Sequence, residues 1–146
     1  MSFVRACYKV TPGMEKNGGG SIVTIQSYTI KSPLQNLILS NSIRLAVVGM
    51  VRSMANELGP KGIRVNSVNP GSHGTDRLLN NYRAAAERSK MPLDKMLERA
   101  SKSIPLRRIN TAENFGENVA WVASPAASYI TGQAIMVDGG AAPSPL

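Results

Sequence analysis

The stretch G-P-K-G-I-R-V-N-S-V-N-P-G, residues Gly59 to Gly71, decides the fold class of this chain. Gly59 and Pro60 are typical of a helix end, the β-branched run from Ile63 predicts a strand, and Pro70 opens a loop. A helix followed at once by a strand is typical of a parallel α/β sheet. Because such sheets bind ligands outside the carboxyl ends of their strands, we expect the loop after Pro70 to lie at the functional site.

The other periodic segments predict two further strands, each preceded by a helix. Residues 21–27 are rich in β-formers and follow an amino-terminal helix over 2–10, which we expect Pro12 to end. Apolar residues at helical spacing predict a helix over 39–58, and Thr111 is the expected N-cap of a helix that ends near Pro125. The strand at 134–137 is the last predicted element. We therefore expect an α/β protein with three strands and flanking helices.

An insertion of polar helices separates the second and third predicted strands. Residues 76–103 are typical of two short helices separated near Met91 and Pro92. We interpret 76–108 as a helical lid over the substrate site. With no internal repeat and no linker, residues 1–146 are expected to form a single domain.

Composition narrows the possible classes of function. No apolar run approaches the roughly 18 residues that a bilayer span needs, and the amino terminus lacks the apolar core of a secretory signal, so we expect a cytoplasmic protein without a membrane partner. The single cysteine, Cys7, cannot form an intrachain disulfide, and we expect it to be a small buried hydrophobe.

The formal net charge is +8, and nine of the seventeen basic residues lie between Arg77 and Arg108. They are mixed with acidic residues, as on solvated helices, and no aromatic residues interleave them. We therefore expect no nucleic-acid binding and interpret the region as a basic surface or a lid for an anionic substrate. Arg99 and Lys102 are the candidate residues for such a substrate.

Three segments resemble the short-chain dehydrogenase/reductase family: residues 59–71, V-D-G-G at Val137 to Gly140, and G-G-S-I-V-T-I-Q-S at Gly19 to Ser27. The resemblance runs over nearly all of the chain, but only over the carboxy-terminal half of the family's domain. It implies half of a doubly wound, Rossmann-like parallel sheet, in a partial domain that is truncated relative to the family. It also implies an oxidoreductase that uses NAD or NADP.

The resemblance also implies the catalytic positions. The family has a serine at the end of the strand that matches residues 21–27, and Ser27 stands there. Its Y-x-x-x-K motif falls, by matching the helix segment that follows, on Ser40 and Arg44. The spacing of four residues keeps both side chains on one helix face. An aliphatic hydroxyl is a far weaker acid than a phenol, so we expect no standard proton relay.

For the cofactor, the resemblance implies contacts just after Pro70 and Gly71, with Thr75 at the family's threonine position and His73 in the same loop. A lone loop histidine is more often solvated, and Thr75 could equally cap the next helix. The glycines at 18–20 precede a strand, which is typical of a turn and not of a phosphate cradle. The family's glycine-rich cofactor motif is expected upstream of Met1.

Another residue could replace the missing tyrosine. Tyr28 follows Ser27 directly, with Lys31 three residues later. Alternation along a strand predicts that Tyr28 points to the face opposite Ser27, so we favour a packing or surface role for it.

Three functions remain open at this level. The first is the substrate-side half of a short-chain oxidoreductase acting on a small molecule, NAD(P)-dependent if an amino-terminal half completes it. The alternative is a noncatalytic remnant or pseudoenzyme that serves as an oligomerising or binding module, and a third possibility is an anion-binding module that uses Arg44. We expect a homo-oligomer, a dimer or tetramer, formed through helix 39–58 and the carboxy-terminal strand. We expect no metal site.

Overall fold

The protein is built around a three-stranded parallel sheet. The structure is a computed structural model, and it describes residues 2–143. The main elements, in chain order, are α1 (Ser2–Lys16), β1 (Gly20–Ile25), α2 (Ile38–Leu58), β2 (Ile63–Pro70), α3 (Asp76–Ser89), α4 (Leu93–Lys102), α5 (Ala112–Ala123) and β3 (Ala134–Val137). Short 3-10 turns occupy Tyr28–Ile30, Gly59–Lys61 and Pro125–Ala127. The predicted α/β class, with three parallel strands and flanking helices, is confirmed.

Strand β2 is the centre of the sheet. It pairs in parallel with β1, with Ile22 opposite Val65, and with β3, with Val68 opposite Ile135. Among the described residues β1 has no strand on its other side, and its last residue, Ile25, is 52% exposed. This open edge, with unpaired backbone groups, is where a further strand could pair.

Helices cover both faces of the sheet. On one face, Cys7 of α1 and Val51 and Met54 of α2 form a buried cluster with Ile22 and Val65. On the other face, the Arg64 side chain reaches the carboxyl end of α5 and donates to the Val122 carbonyl at 3.0 Å. The helices on both faces of the sheet therefore contact β2, and the carboxyl end of β2 leads into the loop at Pro70.

Helix α1 runs through Pro12 to Lys16, so the prediction that Pro12 ends it is wrong. Pro12 has no amide hydrogen, so the Tyr8 carbonyl loses its helical hydrogen bond. Because Tyr8 is 78% exposed, water can reach this turn of the helix. Thr11 supports the same turn by donating through Oγ1 to the Cys7 carbonyl at 2.7 Å. The helix ends where Asn17 bonds to the Gly13 carbonyl.

Helix α2 buries a narrower apolar stripe than its sequence predicts. Met54 and Val51 are in the core, whereas Ile43, one of the apolar residues whose helical spacing predicts this helix, is 61% exposed. Ile38 and Leu39 are also largely exposed. The amino-terminal half of α2 therefore presents apolar surface to solvent.

The predicted pair of polar helices is present as α3 and α4, and Lys90 ends α3 in the left-handed conformation. No helix among the described residues has the length and apolarity that crossing a membrane requires.

Candidate functional site

A cleft of about 390 Å³ opens where β1 and β2 end. Six of the predicted site residues line it: Ser27, Arg44, Pro70, Gly71, His73 and Thr75. The fold thus brings together side chains that lie far apart in sequence, at the strand ends where parallel sheets bind ligands. The seventh predicted residue, Ser40, does not line the cleft but is bonded to Arg44.

The Ser27 hydroxyl is held in place just beyond the carboxyl end of β1. Ser27 is the N-cap of the 3-10 turn that follows, and its Oγ accepts a hydrogen bond from the Thr29 amide at 3.2 Å. A hydroxyl that accepts a bond still has its own proton to donate. Ser27 therefore keeps a hydroxyl proton that is available for donation to a group in the cleft.

Arg44 joins helix α2 to the end of β1. Its Nη1 donates to the Gln26 carbonyl at 2.6 Å, and its Nε donates to Ser40 Oγ at 3.1 Å. The two side chains share one helix face, as their spacing predicts. Arg44 places a permanent positive charge in the cleft, and a guanidinium does not release a proton at ordinary pH.

Tyr28 lines the same cleft as Ser27, so the prediction that it points to the opposite face is wrong. Strand alternation does not apply, because β1 ends at Ile25 and the chain turns into a 3-10 helix at Tyr28. Burial raises the pKa of the Tyr28 phenol, and the neighbouring Tyr82 and Asp138 add to this. Tyr28 therefore stays protonated near neutral pH and can donate a hydrogen bond. Lys31 does not line the cleft.

His73 is buried, with 7% of its surface exposed, so the expectation of a solvated histidine is wrong. Its ring packs edge-on against Phe115 at a centroid distance of 4.8 Å, and Nδ1 lies 3.3 Å from the Gly71 carbonyl. Burial lowers the pKa of the imidazole, which is therefore neutral near pH 7. A neutral ring that donates from Nδ1 leaves Nε2 as an acceptor, and Nε2 is buried with no partner among the described residues.

Backbone contacts fix the loop after Pro70. The Gly71 amide donates to the Val137 carbonyl, and a Cβ on Gly71 would lie 2.7 Å from the Asp138 Cα. The loop thus needs a glycine because it approaches the end of β3 closely. Thr75 caps α3, since its Oγ1 accepts from the Leu78 amide at 3.3 Å.

The glycine loop before β1 lies at the end of the sheet opposite the cleft. A Cβ on Gly19 would clash with the Gly62 carbonyl oxygen, so this loop is a tight turn packed against Gly62, as its position before a strand predicts. The described residues thus supply groups that fit the nicotinamide end of a dinucleotide, with an unpartnered polar atom at His73, but no phosphate cradle. No cluster of metal-ligating side chains occurs among them.

Sequence reasoning did not single out Arg77, which lines the cleft from the first turn of α3. The available signal was its position two residues after Thr75, in a helix that begins at the site loop. Arg99 and Lys102 do not line the cleft, and Lys102 instead pairs with Glu98 at 2.7 Å. A second cavity of about 480 Å³ shares His73, but neither Ser27 nor Arg44 lines it.

Comparison with known proteins gives a consistent family. A family model described as Enoyl-(Acyl carrier protein) reductase matches residues 1–142. The 7alpha-hydroxysteroid dehydrogenase of Escherichia coli K12 is 37% identical over 139 residues, which are 95% of this chain and 51% of that protein.

Two solved structures share the fold. That of 7alpha-hydroxysteroid dehydrogenase complexed with NADH and 7-oxo glycochenodeoxycholic acid has a TM-score of 0.79 at 35% identity, covering 95% of this chain and 51% of that one. That of L-sorbose reductase from Gluconobacter frateurii complexed with NADPH and L-sorbose has a TM-score of 0.92 at 26% identity, covering 99% and 55%. The chain spans about half the length of the relatives it matches.

Proposed function

Because this chain belongs to the short-chain dehydrogenase/reductase family, we propose that it forms the substrate side of an NAD(P)-dependent oxidoreductase site that reduces a small carbonyl compound. One observation carries the proposal: six predicted site residues from three separate segments line one cleft at the strand ends. Relatives with NADH and with NADPH bound support a nicotinamide cofactor without favouring either one.

The residues take distinct roles in this proposal. Ser27 donates its free proton in a hydrogen bond to the substrate carbonyl and polarises it. Arg44 holds a ribose hydroxyl or the substrate, and the loop at Pro70, Gly71, His73 and Thr75 contacts the nicotinamide end. A reduced nicotinamide, when bound, supplies a hydride to the carbonyl carbon. The phosphate cradle comes from another segment, either upstream in the same polypeptide or in a partner.

Proton delivery is the step in which this site differs from the family pattern. Ser40 and Arg44 keep the spacing of the tyrosine and lysine but not their acidity, and Ser40 Oγ accepts from Arg44 Nε. We therefore propose that the alcohol oxygen takes its proton from solvent or from the Tyr28 phenol, and that reduction is slow. The same substitution favours a second candidate, a noncatalytic binding module of the family.

We further propose that the protein is cytoplasmic and assembles with itself through α2 and β3. The exposed apolar residues Ile38, Leu39 and Ile43 support the α2 contact, because a dimer would remove them from water.

The test is NADPH oxidation by the purified chain with a panel of small ketones and 2-oxo acids. We expect slow turnover that falls by about 10²-fold in Ser27→Ala, since one carbonyl-polarising donor is lost. Ser53→Ala, a change on the exposed side of α2, is the matched control. Turnover that survives Ser27→Ala would remove the role of Ser27, and no turnover in a folded chain that binds NADPH would favour the noncatalytic candidate.

A further inference from the structure

The cleft carries positive charge from two separate elements. Arg44 comes from α2 and Arg77 from the first turn of α3, and no aspartate or glutamate is among the described residues that line the cleft, although Asp138 is near enough to raise the pKa of the Tyr28 phenol. Arg44 uses Nε and Nη1 in protein hydrogen bonds, which leaves Nη2 without a partner among the described residues. Arg77 forms none of the ion pairs found in the described part of the chain.

The amino-terminal end of α3 adds to this positive charge. Thr75 caps a helix of 14 residues, and Thr75, Arg77 and Leu78 line the cleft, so the positive end of the helix dipole faces it. A second observation also indicates a ligand here. Nε2 of His73 is buried without a partner, in a residue that is 7% exposed and lines the same cleft. A buried acceptor is costly unless a donor reaches it, and the described residues supply none, so Nε2 indicates a ligand that carries a hydrogen-bond donor as well as any anionic group.

Several other cations of the helical insertion are engaged in bonds of their own, and none of the insertion's other cations lines the cleft. Lys95 and Lys102 both pair with Glu98, and Arg83 donates to Asn80. Arg108 donates to Asn110, away from the cleft. Arg77 is therefore the cation of this insertion that lines the cleft.

We propose that the cleft binds its ligand through an anionic group, a carboxylate or a phosphate, held by Arg44 and Arg77. This rests on the proposed function for the identification of the cleft as the substrate side. A carboxylate there would belong to the substrate, which would then be a small keto acid with its carbonyl at Ser27. A phosphate there would belong to the cofactor. Guanidinium groups suit both, because they present paired donors to planar or tetrahedral oxyanions.

The test compares two probes that differ in charge and by one methyl group. Calorimetry measures binding of phenylglyoxylate, a keto acid, and of its uncharged methyl ester to the chain. We expect the acid to bind at least about 10-fold more tightly, and added salt to reduce this difference. Arg77→Gln should weaken acid binding by about 3- to 10-fold and leave the ester unchanged, a modest loss because Arg77 is exposed.

Arg88→Gln is the matched control, since it removes the same charge from an exposed position of α3 that does not line the cleft. Equal affinity for acid and ester, no binding of the acid by a folded chain, or equal losses in the two variants would overturn the proposal.

A second arm separates the two sources of the anion. If NADPH displaces phenylglyoxylate, the group held by the two arginines is a cofactor phosphate. If NADPH and phenylglyoxylate bind together, it is the substrate carboxylate. Arg77-dependent binding of the acid without any NADPH binding would keep the anion site and remove the proposed function. If the chain binds NADPH but not the acid, and NADPH binding does not depend on Arg77, the proposed function is kept and the anion site is removed.

Discussion

Arg44 holds Ser40 through a hydrogen bond of 3.1 Å from Nε to Oγ, one turn apart on α2. These are the positions that the family resemblance assigns to lysine and tyrosine. The geometry of the pair is retained and its acidity is not, because a serine hydroxyl near a guanidinium is a much weaker proton donor than a phenol near an ammonium. The proposed site therefore polarises a carbonyl well and protonates the product poorly.

Restoring the family pair should restore the proton donor. The double variant Ser40→Tyr/Arg44→Lys should oxidise NADPH with a small ketone about 10²-fold faster than the unmodified chain, the usual scale of general acid catalysis. Turnover under saturating ketone measures this. Ser40→Tyr alone should gain less, since the phenol then lacks a lysine neighbour. A folded double variant that binds NADPH but gains nothing would contradict the assignment of these two positions.

The buried imidazole of His73 should make stability depend on pH. Burial lowers its pKa in the folded state, so between the ordinary value of about 6.5 and the folded value the unfolded state binds more protons. The free energy of unfolding should therefore fall as pH drops through that window. Urea denaturation at several pH values measures this, and His73→Gln should flatten the dependence.

Because His73 is the only histidine, its NMR titration can be read without assignment of others. We expect a midpoint below 6.5. A midpoint at or above that value would show that the ring is not buried as described.

Arg64 should contribute strongly to the attachment of α5. Its terminal nitrogens donate to four main-chain carbonyls at 3.0–3.3 Å, at Val122, Ala123, Ser124 and Ile130. Arg64→Met keeps much of the apolar stem and should lower the free energy of unfolding by about 2 kcal/mol, as expected for lost hydrogen bonds to a charged group. Arg83→Met, which loses one exposed bond to Asn80, is the control and should change it by less than about 0.5 kcal/mol.

The exposed apolar end of α2 should control assembly. Ile43 is 61% exposed, and Ile43→Asp should lower the mass measured by light scattering if α2 forms the proposed contact between copies. Tyr129→Asp, at a fully exposed residue outside the helices, should leave the mass unchanged. An identical mass for the unmodified chain and Ile43→Asp would remove α2 from the interface.

The sequence predicted the elements and their order because helix ends, β-branched runs and caps are local signals. Thr111 and Thr75 cap helices where the pattern indicates. It misplaced features that depend on tertiary surroundings. Helix α1 continues beyond Pro12 because Tyr8, whose carbonyl loses its helical hydrogen bond, is exposed to solvent. Ile43 stays outside the core because α2 packs on the sheet only through its later turns.

In the candidate site, too, local patterns predicted some features and missed those that depend on tertiary contacts. Ser27, Arg44 and the loop after Pro70 were found from motif positions, and they meet in one cleft. Tyr28 was misplaced because period-two alternation stops at the end of β1, and the burial of His73 depends on Phe115, which lies more than 40 residues away in sequence. No local pattern carries either fact.

The most direct test of the account is a fluorescence titration of the purified chain with NADPH and NADH, run beside a light-scattering mass. We predict weak binding by a folded assembly, because this chain supplies the nicotinamide side of the site but no phosphate cradle, with affinity reduced further in Thr75→Val. A folded chain that binds neither cofactor at millimolar concentration would contradict the claim that this cleft is one side of a nicotinamide site.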